Sequence, residues 1–258
     1  MGRAIPFSKI GEEIFNDEVK GIIADTNFLI AIMYEPHHYH EVSVKLFDCL
    51  VDLAVPIYVN LAARSEYLDF QRRMLMTEAL MDMLGVSTRW KITNAAKIEL
   101  RRHRLWIDTQ ASKEDIPILT DHRLKECKKI FIPRTESGKN GWQEICASYL
   151  DSLKEEWEKL VDLLGLRYIG VRETDDQALF STPIRWERFY EISGKTCLSS
   201  SDSLITNVLT SSNIPVLAST DYDLAYAILA EQSNKTVLIP DSLYERHIKG
   251  LRFSKRSN

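Results

Sequence analysis

Cysteine is scarce in this chain of 258 residues, which contains only four. No two of them, Cys49, Cys127, Cys146 and Cys197, have the close spacing of a cysteine-based zinc site. Four cysteines in so long a chain also make no disulfide framework. Both classes of protein are therefore excluded, and we expect four reduced thiols in a reducing compartment.

Long apolar runs are also absent. The most apolar stretch, residues 21–34, is short and is interrupted by Asp25, Thr26 and Asn27, whereas a transmembrane helix needs about 20 mainly apolar residues in succession. The N-terminus has neither the apolar core nor the cleavage site of a secretory signal. We therefore expect a cytoplasmic protein that makes no membrane contact.

Positive charge is not in excess, since 33 basic residues stand against 37 acidic ones and give a net charge of -4. A nucleic-acid binder with this balance must use a local basic patch, because no global field attracts the phosphates. The hydrophobic content of 45% is typical of a globular protein. The length fits one large domain, or one domain that carries an insertion.

Alternating strand and helix patterns occupy the two ends of the chain. The predicted strands are residues 21–24, 57–60, 214–220 and 235–240. The predicted helices are the apolar run 28–34, residues 41–54, a segment from Ala62, the serine-led segment 196–212, and residues 221–232. This alternation favours a parallel sheet that is covered by helices on both faces.

Residues 71–189 differ from both ends, because they are charge-rich and mostly helical in pattern. Residues 142–166 in particular predict one amphipathic helix that ends at Gly165. The sequence therefore predicts a single three-layer α/β/α domain with a central parallel sheet. Its core comes from about 20–70 and 190–245, and a mainly helical insertion of about 71–189 interrupts it.

Acidic residues lie where the predicted strands end and the next helices begin. Asp25 and Asp221 each follow a strand, and Glu66 and Asp202 lie early in helices. The carboxyl ends of parallel strands meet at one edge of a sheet, which is the usual binding crevice. Two carboxylates about 4 Å apart repel by roughly 4 kcal/mol at an effective dielectric constant of 20. Such a cluster favours a hard cation, Mg²⁺ or Mn²⁺, over Zn²⁺.

These acidic segments resemble the motifs of PIN-domain nucleases. IIADTNFLIA is similar to the opening strand and helix of that family, and EPHHYHEVSVKLFDCL to the loop and helix that follow. LAARSEYLDF resembles the segment that carries the family's glutamate, SSSDSLITNVL the helix with its third acid, and VLASTDYDL the strand with its last acids. The resemblance covers about half of the chain, residues 20–70 and 196–240.

The resemblance implies a compact α/β/α endoribonuclease that uses one or two Mg²⁺ or Mn²⁺ ions. Water would attack the phosphorus in line and leave a 5′-phosphate and a 3′-hydroxyl. The residues implied as catalytic metal ligands are Asp25, Glu66, Asp202 and Asp221, with Asp223 as a further ligand and with Asn27 and Ser219 as supporting polar groups. The large insertion departs from the small toxin-type members of the family.

Basic residues early in the insertion predict a groove for single-stranded RNA, because tryptophans lie among them. The candidate contacts are Arg64, Arg72, Arg73, Arg101 and Arg102, with Trp90 and Trp106 between or beside them. The alternative is a solvated helix face above core tryptophans.

Other functions stay open from the sequence. Asp25 and Asp221 can be turn residues, and Asp202 can simply cap a helix. The fold can hold RNA without cutting it, or it can be a structure-specific DNA nuclease whose insertion arches over a strand. The insertion can also dock a protein inhibitor, as antitoxins do for small PIN toxins, or the chain can form a homo-oligomer.

Overall fold

The computed structural model describes residues 2–13, 20–85, 92–112, 116–131, 140–170, 177–231 and 233–251. The chain forms two compact units. The first, here called the sheet unit, comprises Met1–Tyr67 and Leu160–Asn258, and the second, the helical unit, comprises Leu68–Lys159.

The sheet unit is built on one six-stranded sheet in which every pair of neighbouring strands is parallel. The strands are β1 (Arg3–Pro6), β2 (Ile22–Ala24), β3 (Ile57–Val59), β4 (Arg167–Tyr168), β5 (Val216–Ala218) and β6 (Thr236–Ile239). Their order across the sheet is β1-β6-β5-β2-β3-β4. The predicted central parallel sheet is therefore confirmed.

Helices account for most of the remaining structure. Their bounds are α1 (Ile10–Glu13), α2 (Thr26–Met33), α3 (His40–Asp52), α4 (Leu61–Asp82), α5 (Asn94–Ala111), α6 (Asp121–Phe131), α7 (Gly141–Tyr149), α8 (Leu153–Leu164), α9 (Trp186–Thr196), α10 (Ser200–Ser211), α11 (Tyr222–Ala230) and α12 (Asp241–Leu243). Short 3-10 segments lie at Phe7–Lys9 and Gln177–Leu179, and a π-helical turn at Tyr244–Ile248. None of the helices in the described ranges has the length and apolarity needed to cross a membrane.

The central strands consist mainly of consecutive apolar residues, because helices cover both faces of the sheet at these strands. All residues of β2, β3, β5 and β6 are buried, and unbroken apolar strands are typical of parallel sheets packed between helix layers. Helices α10 and α11 supply Ile205, Val208, Leu224 and Ile228 to the same core as Leu217 of β5. The three-layer α/β/α architecture is confirmed.

Two strands lie outside the core segments that the sequence indicates. Strand β1 precedes residue 20 and pairs with β6, while β4 lies within residues 71–189 and pairs with β3. Both are edge strands, and β4 has only two residues, so neither produces a period that a sequence window detects. Helix α9 also belongs to the sheet unit, so that unit resumes before residue 190.

The helical unit has a core of its own. Residues Met76, Leu80, Leu100, Leu124 and Ile145, from α4 to α7, are fully or almost fully buried in one cluster. The amphipathic pattern of residues 142–166 predicts one helix, but the structure has two, α7 and α8, with a break at 150–152. The break keeps Tyr149 and Leu150 against the core cluster. The predicted stop at Gly165 is confirmed, since its φ is +59°.

Candidate metal centre

The candidate centre begins at the junction of β2 and β5. These strands are neighbours in register, with Ala24 opposite Ala218, so that Asp25 and Ser219 leave the same sheet edge side by side. From β2 the chain continues to its neighbour β3 on one side, whereas from β5 it continues to β6 on the opposite side. The boundary between β2 and β5 is therefore a topological switch point, where open α/β sheets bind ligands. Ser219 Oγ donates a hydrogen bond of 2.8 Å to Asp25 Oδ2.

Asp25 is fully buried and fixed at both of its carboxylate oxygens. It caps the N-terminus of α2, where Oδ1 accepts a hydrogen bond of 2.7 Å from the backbone N–H of Thr26. Ser219 is also fully buried, and its Oγ accepts from the backbone N–H of Asp221 at 2.9 Å. One serine thus orients the carboxylate of Asp25 and the turn that carries Asp221.

Glu66 reaches the same place from α4. The side chain of Asn60 caps this helix by accepting from the N–H of Ala63 at 2.9 Å, which fixes the turn that precedes Glu66. Thr26 Oγ1 then donates to Glu66 Oε2 at 2.7 Å. Two consecutive residues, Asp25 and Thr26, therefore supply one acid of the centre and position another.

Asp202 comes from the first turn of α10. The Ser199 hydroxyl caps the helix by accepting from the N–H of Asp202 at 3.2 Å. The same hydroxyl donates to Asp202 Oδ2 at 2.6 Å. Asp202 is therefore held by a capping serine, yet it is not itself the cap, which removes one of the structural roles that the sequence leaves open.

Three of the four predicted acids meet in one group. Asp25, Glu66 and Asp202 each present a carboxylate oxygen, and these atoms all lie within 4.8 Å of one another. Asp221 lies beside this group, where it caps α11 and accepts from Asn27 Nδ2 at 3.3 Å. Asp223 is exposed in the first turn of α11, and its N–H donates to Asp221 Oδ1 at 2.8 Å.

Burial and mutual repulsion make ionisation of this group costly. Burial raises the pKa of Asp25 to about 8, and the charges of Asp202, Asp221 and Glu66 raise it as well, while the Ser219 hydrogen bond opposes the shift. Burial likewise raises the pKa of Glu66 and of Asp221, with Asp202 adding to both. Protons or a cation must offset the charge.

The residues present fit a hard divalent cation. Within the described part of the chain, none of the four acids forms an ion pair with a lysine, arginine or histidine. The converging donors are carboxylate oxygens, which are the ligands that Mg²⁺ and Mn²⁺ prefer. Asp25, Glu66 and Asp202 would hold such an ion, with Asp221 next to it.

Three hydroxyl residues complete the centre although the sequence did not single them out as site residues. These are Thr26 and Ser199, described above, and Ser201, whose hydrogen bond opposes the rise that burial causes in the pKa of Glu66. The sequence does place hydroxyl residues next to these acids, since Thr26 directly follows Asp25 and three serines precede Asp202. Hydroxyls at helix starts usually indicate caps alone, so the pattern does not reveal which of them reach a carboxylate.

The candidate RNA-binding arginines are mostly engaged within the protein. In the helical unit, Arg72 pairs with Asp69 and Asp121, Arg73 pairs with Asp69, and Arg102 pairs with Glu99. Arg101 is exposed. Trp106 packs against the core cluster of the helical unit, which favours the core role for this tryptophan, while Trp90 lies outside the described residues.

Arg64 differs from these arginines because it belongs to the sheet unit. It lies in the first turns of α4, and its charge acts on the Tyr168 hydroxyl, although burial raises the pKa of that tyrosine overall. Tyr168 follows in β4 and is 46% exposed. An exposed aromatic ring thus lies on β4, where the charge of Arg64 acts on its hydroxyl.

Comparison with known proteins adds no family to these observations. A scan against protein-family models, a search of curated proteins and a search of solved structures each give no significant match. Functional inference for this chain therefore depends on the geometry and chemistry of the carboxylate group.

Proposed function

We propose that this protein is a metal-dependent ribonuclease of the PIN type, which hydrolyses RNA phosphodiester bonds with Mg²⁺ or Mn²⁺. The observation that carries the proposal is the group of three carboxylates within 4.8 Å of one another, held without a neutralising cation in the described part of the chain. A cluster with only a structural role would leave protonation alone to offset the cost of burying these carboxylates together.

A bound divalent cation would supply Lewis-acid activation of the scissile phosphate and charge neutralisation in the transition state. The chain's own residues have separate tasks. Asp25, Glu66 and Asp202 bind the ion, while Ser219, Thr26 and Ser199 orient their carboxylates through the hydrogen bonds described above. Asn27 orients Asp221, whose carboxylate lies at the side of the group.

The choice of RNA as substrate rests on the resemblance of residues 20–70 and 196–240 to PIN-domain nucleases. Tyr168 supports a nucleic-acid strand as ligand, because an exposed aromatic ring on an edge strand suits the stacking of a base. We expect single-stranded RNA to be preferred, since unpaired bases are free to stack.

The test is cleavage of end-labelled single-stranded RNA by the full chain in Mn²⁺ or Mg²⁺. We expect shortened products with wild type and at least a 100-fold lower rate with Asp25→Asn or Asp202→Asn. Asp48→Asn makes the same charge change at an exposed position of α3 and should cleave like wild type. Equal cleavage by Asp25→Asn and wild type would refute the proposal.

The competing functions give different results in the same experiment. Retention of RNA without shortening, unchanged by Asp202→Asn, would indicate a binding module. Preferential cleavage of flap DNA in competition with matched RNA would indicate a structure-specific DNA nuclease. The 5′-phosphate and 3′-hydroxyl expected on the products separate metal-dependent hydrolysis from cleavage through the RNA 2′-hydroxyl.

A further inference from the structure

The helical unit contains a second group of potential metal ligands on α5 and α6. Each helix presents a histidine and a glutamate four residues apart, Glu99 with His103 on α5 and His122 with Glu126 on α6. Side chains four residues apart project from one face of a helix. The two pairs face each other, because His103 Nε2 lies 3.9 Å from Glu126 Oε2.

His103 is the residue that points to a ligand. Its side chain is fully buried, and Nε2 has no hydrogen-bond partner among the described residues. Two carboxylate oxygens, Glu99 Oε1 and Glu126 Oε2, lie at 3.7 Å and 3.9 Å from it, which is too far for a hydrogen bond. A buried nitrogen without a hydrogen-bond partner costs free energy, and an ion bound at Nε2 would remove that cost.

The same distances suit a tetrahedral metal ion. Ligand atoms about 2.1 Å from zinc in tetrahedral geometry lie roughly 3.4 Å from one another. His103 Nε2 is within a few tenths of an ångström of that separation from both carboxylates, and the three ligand atoms all lie within 4.8 Å. Small movements of two partly exposed glutamates would close the site.

We propose that Glu99, His103 and Glu126 form a site for Zn²⁺ that joins α5 to α6. An imidazole nitrogen with two carboxylates is a donor set for a borderline transition ion, in contrast to the all-oxygen group at Asp25. His122 is 84% exposed and lies 3.5 Å from Glu126 Oε1, but it stands outside the group of three, so water would complete the coordination. The site is separate from the proposed nuclease centre in residues and in preferred metal.

Two arginines contact the proposed ligands, and these contacts must break when zinc binds. Arg102 pairs with Glu99 Oε1 and lies 3.9 Å from Glu126 Oε2, so it neutralises the two carboxylates without a metal. Arg123 Nη1 lies 3.3 Å from His103 Nδ1, whereas zinc at Nε2 requires the proton on Nδ1. Removal of either arginine should therefore increase the affinity for zinc.

The test is titration of Zn²⁺ into the full chain by calorimetry, in an Asp25→Asn, Asp202→Asn background that disables the other centre. We expect one zinc ion for each chain. Glu126→Gln should weaken binding about 10-fold to 100-fold, and Arg102→Gln should strengthen it. Asp108→Asn, an equal charge change at an exposed position of the same α5, should bind like the background protein.

The absorption spectrum of bound Co²⁺ tests the site without a substitution of the buried His103, which could prevent folding. Co²⁺ bound in place of Zn²⁺ should give d–d absorption of a tetrahedral nitrogen and oxygen site, and Glu99→Gln should alter that spectrum. Zinc binding that is unchanged in Glu99→Gln and Glu126→Gln would overturn the proposal. So would the absence of zinc binding in wild type and Arg102→Gln alike, which would assign the cluster to ion pairing alone.

Discussion

Asp25 and Ser219 are joined by a hydrogen bond of 2.8 Å although 194 positions separate them in the chain. Their contact follows from the pairing of β2 with β5, which places Ala24 opposite Ala218 and so sets the next residue of each strand side by side. The serine stabilises the ionised form of Asp25, the state that a cation would require.

Ser219→Ala should raise the pKa of Asp25 further, because the variant lacks the hydroxyl that favours the carboxylate. We expect cleavage at pH 7 to fall about 10-fold to 100-fold and the rising limb of the pH–rate profile to move to higher pH. Ser211→Ala removes another buried hydroxyl of the sheet unit and should leave the profile in place. Slower cleavage by Ser219→Ala with an unchanged pH–rate profile would show that Ser219 does not act through the pKa of Asp25.

The metal-free protein should become less stable as the pH rises. The folded-state pKa of Asp25, about 8, exceeds its ordinary value of 3.8, so the folded state holds this proton more tightly than the unfolded state. The stability that the protonated group contributes is complete below pH 3.8 and is lost as the pH rises through about 8. Glu66 and Asp221 shift in the same direction.

Asp25→Asn tests this relationship in the absence of metal. At pH 8 the variant should be more stable than wild type by on the order of 1–3 kcal/mol, and its unfolding free energy should depend less on pH. Urea denaturation at a series of pH values measures both quantities. Mn²⁺ should stabilise wild type and leave the stability of the variant unchanged. If the variant showed the same pH dependence as wild type, the charge of Asp25 would not be its cause.

Thr26→Val should weaken Mn²⁺ binding while preserving the shape of the side chain. The hydroxyl that donates to Glu66 Oε2 at 2.7 Å is lost, so the glutamate is no longer held towards the group. We expect a 10-fold to 100-fold lower affinity by calorimetry, with Thr26→Ser close to wild type because it retains the donor. Comparable affinities for valine and threonine would show that Glu66 needs no such support.

Gly21→Ala should destabilise the sheet unit directly before β2. Gly21 has a φ of +137°, and a Cβ there would lie 2.6 Å from the Tyr58 ring and 2.7 Å from the Pro56 carbonyl oxygen. We expect a loss of about 2–4 kcal/mol in the free energy of unfolding. Gly194→Ala, within α9 with nothing within 4 Å of a new Cβ, should instead be neutral or stabilising.

The core of the fold was predictable because its signals are strong and local. Apolar runs at 21–24 and 214–220 end in acids, and a parallel sheet brings such ends to one edge, so Asp25 and Asp221 could be placed without a structure. Strands β1 and β4 were missed because an edge strand of two to four residues has no period to detect.

The details of the site depended on distances that a sequence does not contain. The sequence predicts the same metal-binding role for Asp202 and Asp221. In the structure, Asp202 belongs to the group of three carboxylates and Asp221 lies beside that group. The sequence likewise shows a run of basic residues but not their partners. In the structure, Arg72, Arg73 and Arg102 are paired with acids on neighbouring turns or helices.

The long separation between Asp25 and Ser219 has a consequence during synthesis. A ribosome that has made the first 190 residues has already produced Asp25 and Glu66, but neither Asp202 nor the strand that carries Ser219. The acidic group therefore cannot assemble until translation has passed β5. The proposed cleavage activity would therefore be absent while most of the chain is still emerging from the ribosome.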